Sequence, residues 1–293
     1  MRANTISSTF EEGAAVREQL AAFLADPPTI DPAADLTPDV LPTGGIPGTW
    51  VDGSGRTPHS AGVTIYAHGG GFTYSNPPME QIMAHRFSQA TGRPVFAVAY
   101  RLAPAHPFPA AMDDIVAAFK SLVRQGVPPK RILLVGESAG GTLVLSTLLA
   151  LAAAGDPLPG GAVPVSPVTD FTESSPSIKA NKARDVIDPD IMGPVGPTYL
   201  AGARPDQAPQ SPLFGEFHGL PPILIPVGTD EVLLDDSVRF AEAAAAAGVD
   251  ITLDLYEGMT HAFHATVLFD EAEHLPTATT FLTRLAEWVR RLD

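Results

Sequence analysis

Short apolar runs alternate with longer segments of helical periodicity along most of the chain. The apolar runs predict strands at residues 49–51, 63–67, 94–100, 131–135, 162–165, 223–227 and 251–256. Apolar positions at helical spacing predict helices at residues 10–25, 78–90, 109–125, 142–154, 234–247 and 276–292. Strands that alternate with helices are typical of a mostly parallel sheet with helices on both faces. The pattern therefore predicts an α/β fold.

Two stretches interrupt this alternation. Residues 26–58 are rich in Pro, Gly and Asp. Residues 171–211 are polar and contain many prolines, and one helix is predicted within them at residues 189–200. We expect the second stretch to be an insertion that lies over the top of the sheet.

The composition narrows the classes of partner. Acidic residues outnumber basic ones by 33 to 18 among 293 residues, and Lys and Arg form no run. Nucleic acids and anionic membrane surfaces need clustered basic residues, so neither is expected as a partner. The absence of cysteine excludes disulfides, zinc–thiolate sites and a cysteine nucleophile. No apolar run is as long as a membrane span and the first residues lack a secretory-signal pattern, so we expect no membrane insertion and a cytoplasmic location.

A serine stands at the junction between the strand at 131–135 and the helix that follows it. Gly136, Ser138 and Gly140 match the pattern G-x-S-x-G, in which a sharp turn lifts the serine hydroxyl above the end of the sheet. The helix that begins there points free backbone N–H groups at the same place. The sequence thus predicts that Ser138 is a nucleophile and that the N–H of Ala139 can stabilise an oxyanion.

Other candidate catalytic residues directly follow strands that end at the same edge of the sheet, where the functional loops of parallel sheets lie. The strand at 63–67 is followed by His68 and three glycines, and we expect the amides of Gly70 and Gly71 to complete an oxyanion hole with Ala139. Asp230 and His261 follow two later strands. The order Ser138, Asp230, His261 is typical of α/β-hydrolases, with His261 as general base and Asp230 as the acid that orients it.

Adjacent residues leave alternatives for two of these roles. Glu231 is the strongest rival to Asp230 as the acid. Asp235 and Asp236 also follow this strand, but they stand where a helix begins, so we assign them to helix capping. His264 could replace His261 as the base or pair with it as a metal site, but no third ligand occurs at a suitable spacing. We therefore predict no metal and no cofactor.

Taken together, these residues resemble the hormone-sensitive-lipase-like family of α/β-hydrolases, the bacterial family IV esterases. The motifs that carry the resemblance are HGGG at 68–71, YRLAPAHPFPAA at 100–111, GESAGG at 136–141, SPVTD at 166–170, Asp230, and HAF at 261–263. The sequence departs from the family at Ala105, where many members carry Glu. We expect that segment to support the serine turn, so the departure should affect stability or local charge rather than activity.

The resemblance implies one α/β-hydrolase domain over residues 1–293, with a small helical cap formed by about 1–45 and about 171–210. It implies a serine esterase for short- to medium-chain esters, with deacetylation or lactone hydrolysis of a small metabolite as the alternative. An amidase and a ligand-binding receptor also stay open. Family members often dimerise through the last strand and helix, so a homodimer is a further expectation. Candidate pocket residues are Phe72, Tyr74, Phe263, Ile191, Met192 and Tyr199.

Overall fold

The computed structural model describes residues 1–25, 36–268 and 274–292. Its strands are β1 (Arg2–Ile6), β2 (Leu36–Leu41), β3 (Ile46–Val51), β4 (Val63–Ala67), β5 (Val95–Val98), β6 (Ile132–Glu137), β7 (Gly161–Val165), β8 (Ile223–Gly228) and β9 (Ile251–Tyr256). Its helices are α1 (Phe10–Ala25), α2 (Pro58–Ala61), α3 (Pro77–Thr91), α4 (Ala110–Arg124), α5 (Ala139–Ala153), α6 (Ser177–Ala180), α7 (Pro189–Met192), α8 (Val195–Leu200), α9 (Leu234–Ala246) and α10 (Pro276–Val289). A 3-10 segment, Phe263–Leu268, follows the predicted base.

The described strands form one sheet in the order β1-β9-β8-β7-β6-β4-β5-β3-β2. All neighbouring pairs from β1 to β5 in that order are parallel, and β3 and β2 add an antiparallel end. This architecture confirms the predicted mostly parallel sheet. Every strand that precedes a candidate site residue ends at the same edge, as a parallel sheet requires.

Both faces of the sheet are buried, as the period-2 pattern of β6 illustrates. Ile132 and Leu134 join the core that α4, α5 and α9 cover. Leu133 and Val135 point the opposite way, into the core that α1, α3 and α10 cover. This double coverage explains why the central strands are continuous apolar runs.

The two outermost strands were not predicted. Strand β1 pairs with β9 and strand β2 pairs with β3, and most of their residues are exposed. An edge strand buries little, so its sequence carries little hydrophobic pattern. The pairing of β1 with β9 also bears on the expected homodimer. Because β1 pairs with β9, the last strand is not an edge of the sheet, and the expected homodimer stays a prediction.

The segments expected to form the cap have mixed roles. Within residues 1–45, β1 and β2 belong to the sheet, and α1 packs against the Phe263–Leu268 segment. The helix predicted at 189–200 is two short helices, α7 and α8, with Pro194 between them. Proline has no N–H to continue the helical hydrogen bonds, which accounts for the break. Among the described helices, none combines the length and the apolar character that crossing a bilayer requires.

Candidate active site

The turn around Ser138 has the strained geometry that its sequence predicts. Ser138 has φ 53° and ψ -120°, outside the conformations that a non-glycine residue normally adopts. Its N–H donates to the carbonyl of Val165 at 2.8 Å, which ties the turn to the neighbouring strand β7. Helix α5 begins at the next residue, Ala139, so the free amides of its first turn lie beside the serine.

A close backbone approach explains one glycine of this turn. A β-carbon on Gly140 would lie 1.9 Å from the carbonyl oxygen of Ala67 and 2.5 Å from that of His68. No side chain fits there, so glycine lets helix α5 start directly against the end of β4. This contact brings the serine turn next to the glycine loop.

The loop after β4 is folded tightly beside Ser138. The carbonyl of Gly70 accepts the N–H groups of Thr73 and Tyr74 at 3.1 and 3.0 Å, and Gly70 itself has φ 102°. A β-carbon on Gly70 would lie 2.4 Å from the carbonyl oxygen of Tyr74. The hydroxyl of Tyr100 donates to the carbonyl of His68 at 2.8 Å, and the two rings stack with centroids 4.2 Å apart. These contacts fix the strand end from which the loop starts.

The YRLAP segment supports this glycine loop, whereas it was expected to support the serine turn. The N–H of Ala103 donates to the carbonyl of Phe72 at 2.9 Å. Arg101 binds the carboxylate of Asp114 in helix α4 with bonds of 2.8 to 3.1 Å. Ala105 lies exposed in the turn that follows.

One cavity of about 550 Å³ adjoins both the serine turn and the glycine loop. Ser138 and His261 line it together, as do Gly70 and Gly71. Its apolar walls come from helices α1 and α3, from the insertion and from the Phe263–Leu268 segment, and they include Leu20, Met79, Met83, Val186, Val195 and Leu268. The arrangement suits a small, largely apolar molecule held beside the serine.

The candidate pocket aromatics divide into two groups. Tyr74 lines the cavity and is 57% exposed. Phe72 and Tyr199 are buried and stack on each other with centroids 3.8 Å apart, outside the lining of the cavity. Phe263 is also buried outside the lining and packs against Tyr256 at 4.6 Å. The predicted wall positions of Phe72, Tyr199 and Phe263 therefore differ from the structure, because aromatic packing in the core takes these side chains.

Two further candidates lie where side chains are not described. Ile191 and Met192 belong to α7, whose backbone is described, but their side chains lie outside the described part of the chain. The neighbouring insertion residues Val186, Ile187 and Val195 do line the cavity. The insertion thus contributes to the walls through residues that the sequence did not single out.

The carboxylate that contacts His261 is Glu231. Its Oε2 lies 2.9 Å from Nδ1 of His261, and the carboxylate is fully buried. Its Oε1 accepts the N–H of Gly228 at 2.6 Å and the hydroxyl of Ser166 at 2.7 Å. With Nδ1 engaged, Nε2 is the imidazole nitrogen left for Ser138. This is the arrangement of base and acid in a serine hydrolase triad.

Burial and charge act in opposite directions on His261. Burial lowers the pKa of the imidazole, but the hydrogen bond with Glu231 and the negative charges of Glu231, Asp185 and Glu137 outweigh it, so the pKa is raised above its ordinary value. The imidazolium that forms during a proton transfer is therefore stabilised in place.

Asp230 does not take the position predicted for it. Its carboxylate lies 3.5 Å from Arg17 of α1 and 3.9 Å from Arg184 of the insertion, and it is one-fifth exposed. Strand β8 ends at Gly228, and in the turn that follows the Glu231 side chain is directed inward to His261 while that of Asp230 is directed toward Arg17 and Arg184. The prediction of Asp230 as the acid is therefore corrected to Glu231, the alternative at the next position.

The two aspartates assigned to capping bind other segments instead. Asp235 accepts the N–H of Ser177 at 2.7 Å. Asp236 accepts the N–H groups of Thr169 and Asp170 at 2.7 and 3.0 Å, and burial raises its pKa to about 6. Both carboxylates lie in the first turn of α9, where their charge suits the helix dipole, but they fasten the start of the insertion rather than their own helix.

A second glutamate and histidine meet at the same cavity. Nε2 of His264 lies 2.5 Å from Oε2 of Glu137, and the hydroxyl of Tyr66 donates to Oε1 of Glu137 at 2.7 Å. Burial raises the pKa of Glu137, but the bonds with His264 and Tyr66 outweigh that effect and lower it. Within the residues that the structure describes, no group of three or more His, Asp or Glu side chains is arranged to hold a metal.

Two residues near the triad were missed by sequence reasoning. Ser166 donates to Glu231 from a turn with φ 47°, and its place after a strand in SPVTD could have pointed to it. Asp185 accepts the backbone N–H of His261 at 2.8 Å. It belongs to the insertion, where no periodicity or motif marks it.

Comparisons with known proteins identify the family to which the chain belongs. A family model of the α/β hydrolase fold matches residues 64–265. An acetyl-hydrolase from Streptomyces hygroscopicus is 39% identical over 228 residues, covering 77% of this chain and 75% of that protein. An esterase from Acinetobacter venetianus is 34% identical over 233 residues, covering 79% of this chain and 75% of that protein. The crystal structure of an esterase from the bacterial hormone-sensitive lipase family matches with a TM-score of 0.85 at 31% identity, over 98% of this chain and 99% of that chain.

Proposed function

Because the chain belongs to the α/β hydrolase family, and within it to the esterases of the bacterial hormone-sensitive lipase type, we propose that it hydrolyses carboxylic esters through an acyl-enzyme on Ser138. The observation that carries the proposal is the shared cavity. It is lined by a serine in a strained turn and by a histidine whose Nδ1 is held by a buried carboxylate. These are the parts that nucleophilic attack by a hydroxyl needs.

Acylation begins when the oxygen of Ser138 attacks the ester carbonyl carbon. Nε2 of His261 takes the hydroxyl proton as the new C–O bond forms, and Glu231 stabilises the imidazolium. The tetrahedral intermediate then collapses. Its bond to the alcohol oxygen breaks, and His261 gives the proton to the departing alcohol. Ser138 is left as an ester of the acyl group.

Deacylation repeats these steps with water. His261 accepts a proton from a water molecule as its oxygen attacks the acyl carbon, and then returns the proton to Ser138 as the carboxylic acid leaves. Each half-reaction passes through an oxyanion. The amides of Gly70, Gly71 and Ala139 are the donors that we assign to it, since the glycine loop and the start of α5 both border the cavity.

The size and walls of the cavity support a short- to medium-chain ester. A volume of about 550 Å³ with apolar walls accommodates a small acyl group and its alcohol. A second candidate is deacetylation of a small metabolite, which the similarity to an acetyl-hydrolase favours. Both candidates use the same residues and differ in the alcohol part of the substrate.

Hydrolysis of p-nitrophenyl esters from acetate to laurate tests the proposal. We expect kcat/KM to peak at a short acyl chain and to fall toward laurate. Ser138→Ala should abolish turnover. Ser60→Ala changes an exposed serine of α2 whose hydroxyl bonds to Thr57, and it should leave turnover unchanged.

Two results would contradict the proposal. Hydrolysis that persists in Ser138→Ala would show that Ser138 is not the nucleophile. Turnover that rises with chain length up to laurate would show that the pocket does not restrict the acyl chain. A panel of acetylated alcohols and lactones separates the second candidate, since a deacetylase should prefer acetyl over butyryl esters of the same alcohol by a large factor.

A further inference from the structure

Asp185 connects the insertion to both loops that carry the acid and the base. Its Oδ2 accepts the N–H of Val232 at 2.7 Å, and Val232 directly follows Glu231. Its Oδ1 accepts the N–H of His261 at 2.8 Å. Glu231 and His261 lie in loops after different strands, β8 and β9, so one carboxylate bridges the two loops.

The bridge acts through the backbone and not through the cavity. Asp185 is not among the residues that line the cavity, although Val186 and Ile187 directly after it are. Its own Oδ1 also accepts the N–H of Val186 at 2.7 Å, which sets the direction in which the chain leaves toward the cavity wall. Each carboxylate oxygen therefore has a backbone partner, as a partly buried charge requires.

We propose that Asp185 is a positioning residue that sets the Glu231 and His261 loops against each other, so that the insertion helps to assemble the triad. The inference rests on the proposed triad of Ser138, Glu231 and His261. A displacement of about 1 Å between a base and its nucleophile can cost about 100-fold in rate. Two backbone hydrogen bonds from one carboxylate restrict such displacement directly.

Other contacts of the insertion do not replace this bridge. The side-chain amide of Asn181 donates to the carbonyls of Thr229 and Glu231 at 3.0 and 2.8 Å. It therefore contacts the Glu231 loop but not the His261 loop. The bonds from Asp235 and Asp236 end on the start of the insertion or before it. Among the hydrogen bonds that the structure describes for the insertion, those of Asp185 reach both loops.

The negative charge of Asp185 also affects the pKa of His261. The charged groups that act on the imidazole are Glu231 from the β8–α9 loop, Asp185 from the insertion and Glu137 from the serine turn, and all three raise the pKa of His261 against the effect of burial. Arg184 is exposed and is directed at Asp230. Removing the charge of Asp185 therefore lowers the pKa of His261, so the base stays neutral to a lower pH.

The test compares Asp185→Asn with the wild type by kcat, KM and the pH dependence of kcat/KM on the best p-nitrophenyl ester. We expect kcat to fall about 10- to 100-fold with KM little changed, and the acid limb of kcat/KM to move to lower pH. Asp185→Glu keeps the charge, so its acid limb should stay near that of the wild type even if its longer side chain lowers kcat. Asp206→Asn, in the same insertion but exposed and paired with Arg204, is the matched control and should change neither quantity.

The outcomes separate this inference from the proposed function. If wild-type activity survives in Ser138→Ala, the triad fails and the inference fails with it. If the triad holds but Asp185→Asn keeps its kcat and its acid limb, only the role of Asp185 is overturned. A higher KM at unchanged kcat would also overturn it, because that result assigns Asp185 to the cavity wall. The rate of Ser138 labelling by a fluorophosphonate, measured on protein with a native melting transition, distinguishes a mispositioned triad from an unfolded chain.

Discussion

Two glutamate–histidine pairs place their histidines at the same cavity, and they differ in which imidazole nitrogen faces the carboxylate. In the first pair, Nδ1 of His261 meets Glu231, so Nε2 remains available for Ser138. In the second pair, Nε2 of His264 meets Glu137. The histidines are three residues apart in sequence and both are almost fully buried. Their identity and burial are alike, but different ring nitrogens face the two carboxylates.

The remaining nitrogen of the second pair confirms the contrast. Nδ1 of His264 is buried, and it has no hydrogen-bond partner among the described residues. Glu137 is shared with the hydroxyl of Tyr66 from β4, so this pair joins the serine turn to the sheet and to the Phe263–Leu268 segment. In the proposed mechanism the first pair positions a proton acceptor, and the second supports the turn that carries the proposed nucleophile. The same two residue types thus serve chemistry in one place and structure in the other.

The largest expected difference between the pairs lies in the histidines. His261→Gln should lower kcat by about 10⁴-fold or more, because it removes the proposed acceptor of the Ser138 proton. His264→Gln should lower kcat by less than about 10-fold, since its Nε2 is occupied by Glu137. Steady-state kinetics on one p-nitrophenyl ester measures both, with circular dichroism as the check on folding. Equal losses of kcat in the two variants would show that His261 and His264 do not differ in role.

The carboxylates should differ next. Glu231→Gln places an amide against Nδ1, which favours the wrong tautomer of His261, so we expect kcat to fall by about 10³- to 10⁴-fold. Glu137→Gln should lower kcat by less than about 10-fold. The same assay applies, and burst kinetics would show whether acylation or deacylation carries the loss. Activity of Glu231→Gln within 10-fold of the wild type would remove Glu231 from the triad.

The pH dependence distinguishes the pairs on a smaller scale. The raised pKa of His261 means that the base stays protonated above the ordinary histidine value of about 6.5, so kcat/KM should fall as the pH drops through a pKa above that value. Glu137→Gln removes one of the negative charges that raise this pKa, so its acid limb should move to lower pH. The shift should be smaller than that of Glu231→Gln, which removes both a hydrogen bond and a charge. A limb that moves upward in either variant would contradict the electrostatic argument.

Glu137→Gln should lower the stability of the protein even though it costs little activity. Replacing Glu137 by Gln leaves a buried polar group of His264 or Tyr66 without its partner, which costs about 1–3 kcal/mol. Urea denaturation measures this loss, and Glu242→Gln on the exposed side of α9 is the matched control, with no expected change. An unchanged unfolding midpoint for Glu137→Gln would show that the second pair does not support the turn.

Much of the fold could be predicted because its central strands are buried on both faces and its helices carry clear periodicity. The bounds of α1, β4 and β9 match the prediction at both ends. The edges could not be predicted, since the exposed strands β1 and β2 lack an apolar pattern. The insertion was recognised by its loss of periodicity, but its short helices depend on prolines and on contacts with the rest of the chain.

The site divides in the same way. Ser138 could be predicted because local sterics demand glycine at Gly140, and that demand is visible in the sequence. The carboxylate partner of His261 was predicted one residue away from Glu231 because two carboxylates follow β8, and only the tertiary structure decides which one faces His261. Asp185 was missed because its role depends on backbone amides 47 and 76 residues away along the chain, and such contacts leave no local pattern.

The smallest expected effect belongs to the residue first assigned as the acid. Asp230 lies beside Glu231, but its carboxylate is directed at Arg17 and Arg184 at 3.5 and 3.9 Å, near the surface. Such partly exposed ion pairs contribute little, so Asp230→Asn should change kcat less than about 3-fold and the free energy of unfolding by less than about 1 kcal/mol. Because Asp230→Asn and Glu231→Gln are the same chemical change at adjacent positions, measuring both with one substrate isolates side-chain direction as the cause of their difference. A large loss in Asp230→Asn together with an active Glu231→Gln would restore the original assignment and require the loop after β8 to turn the other way.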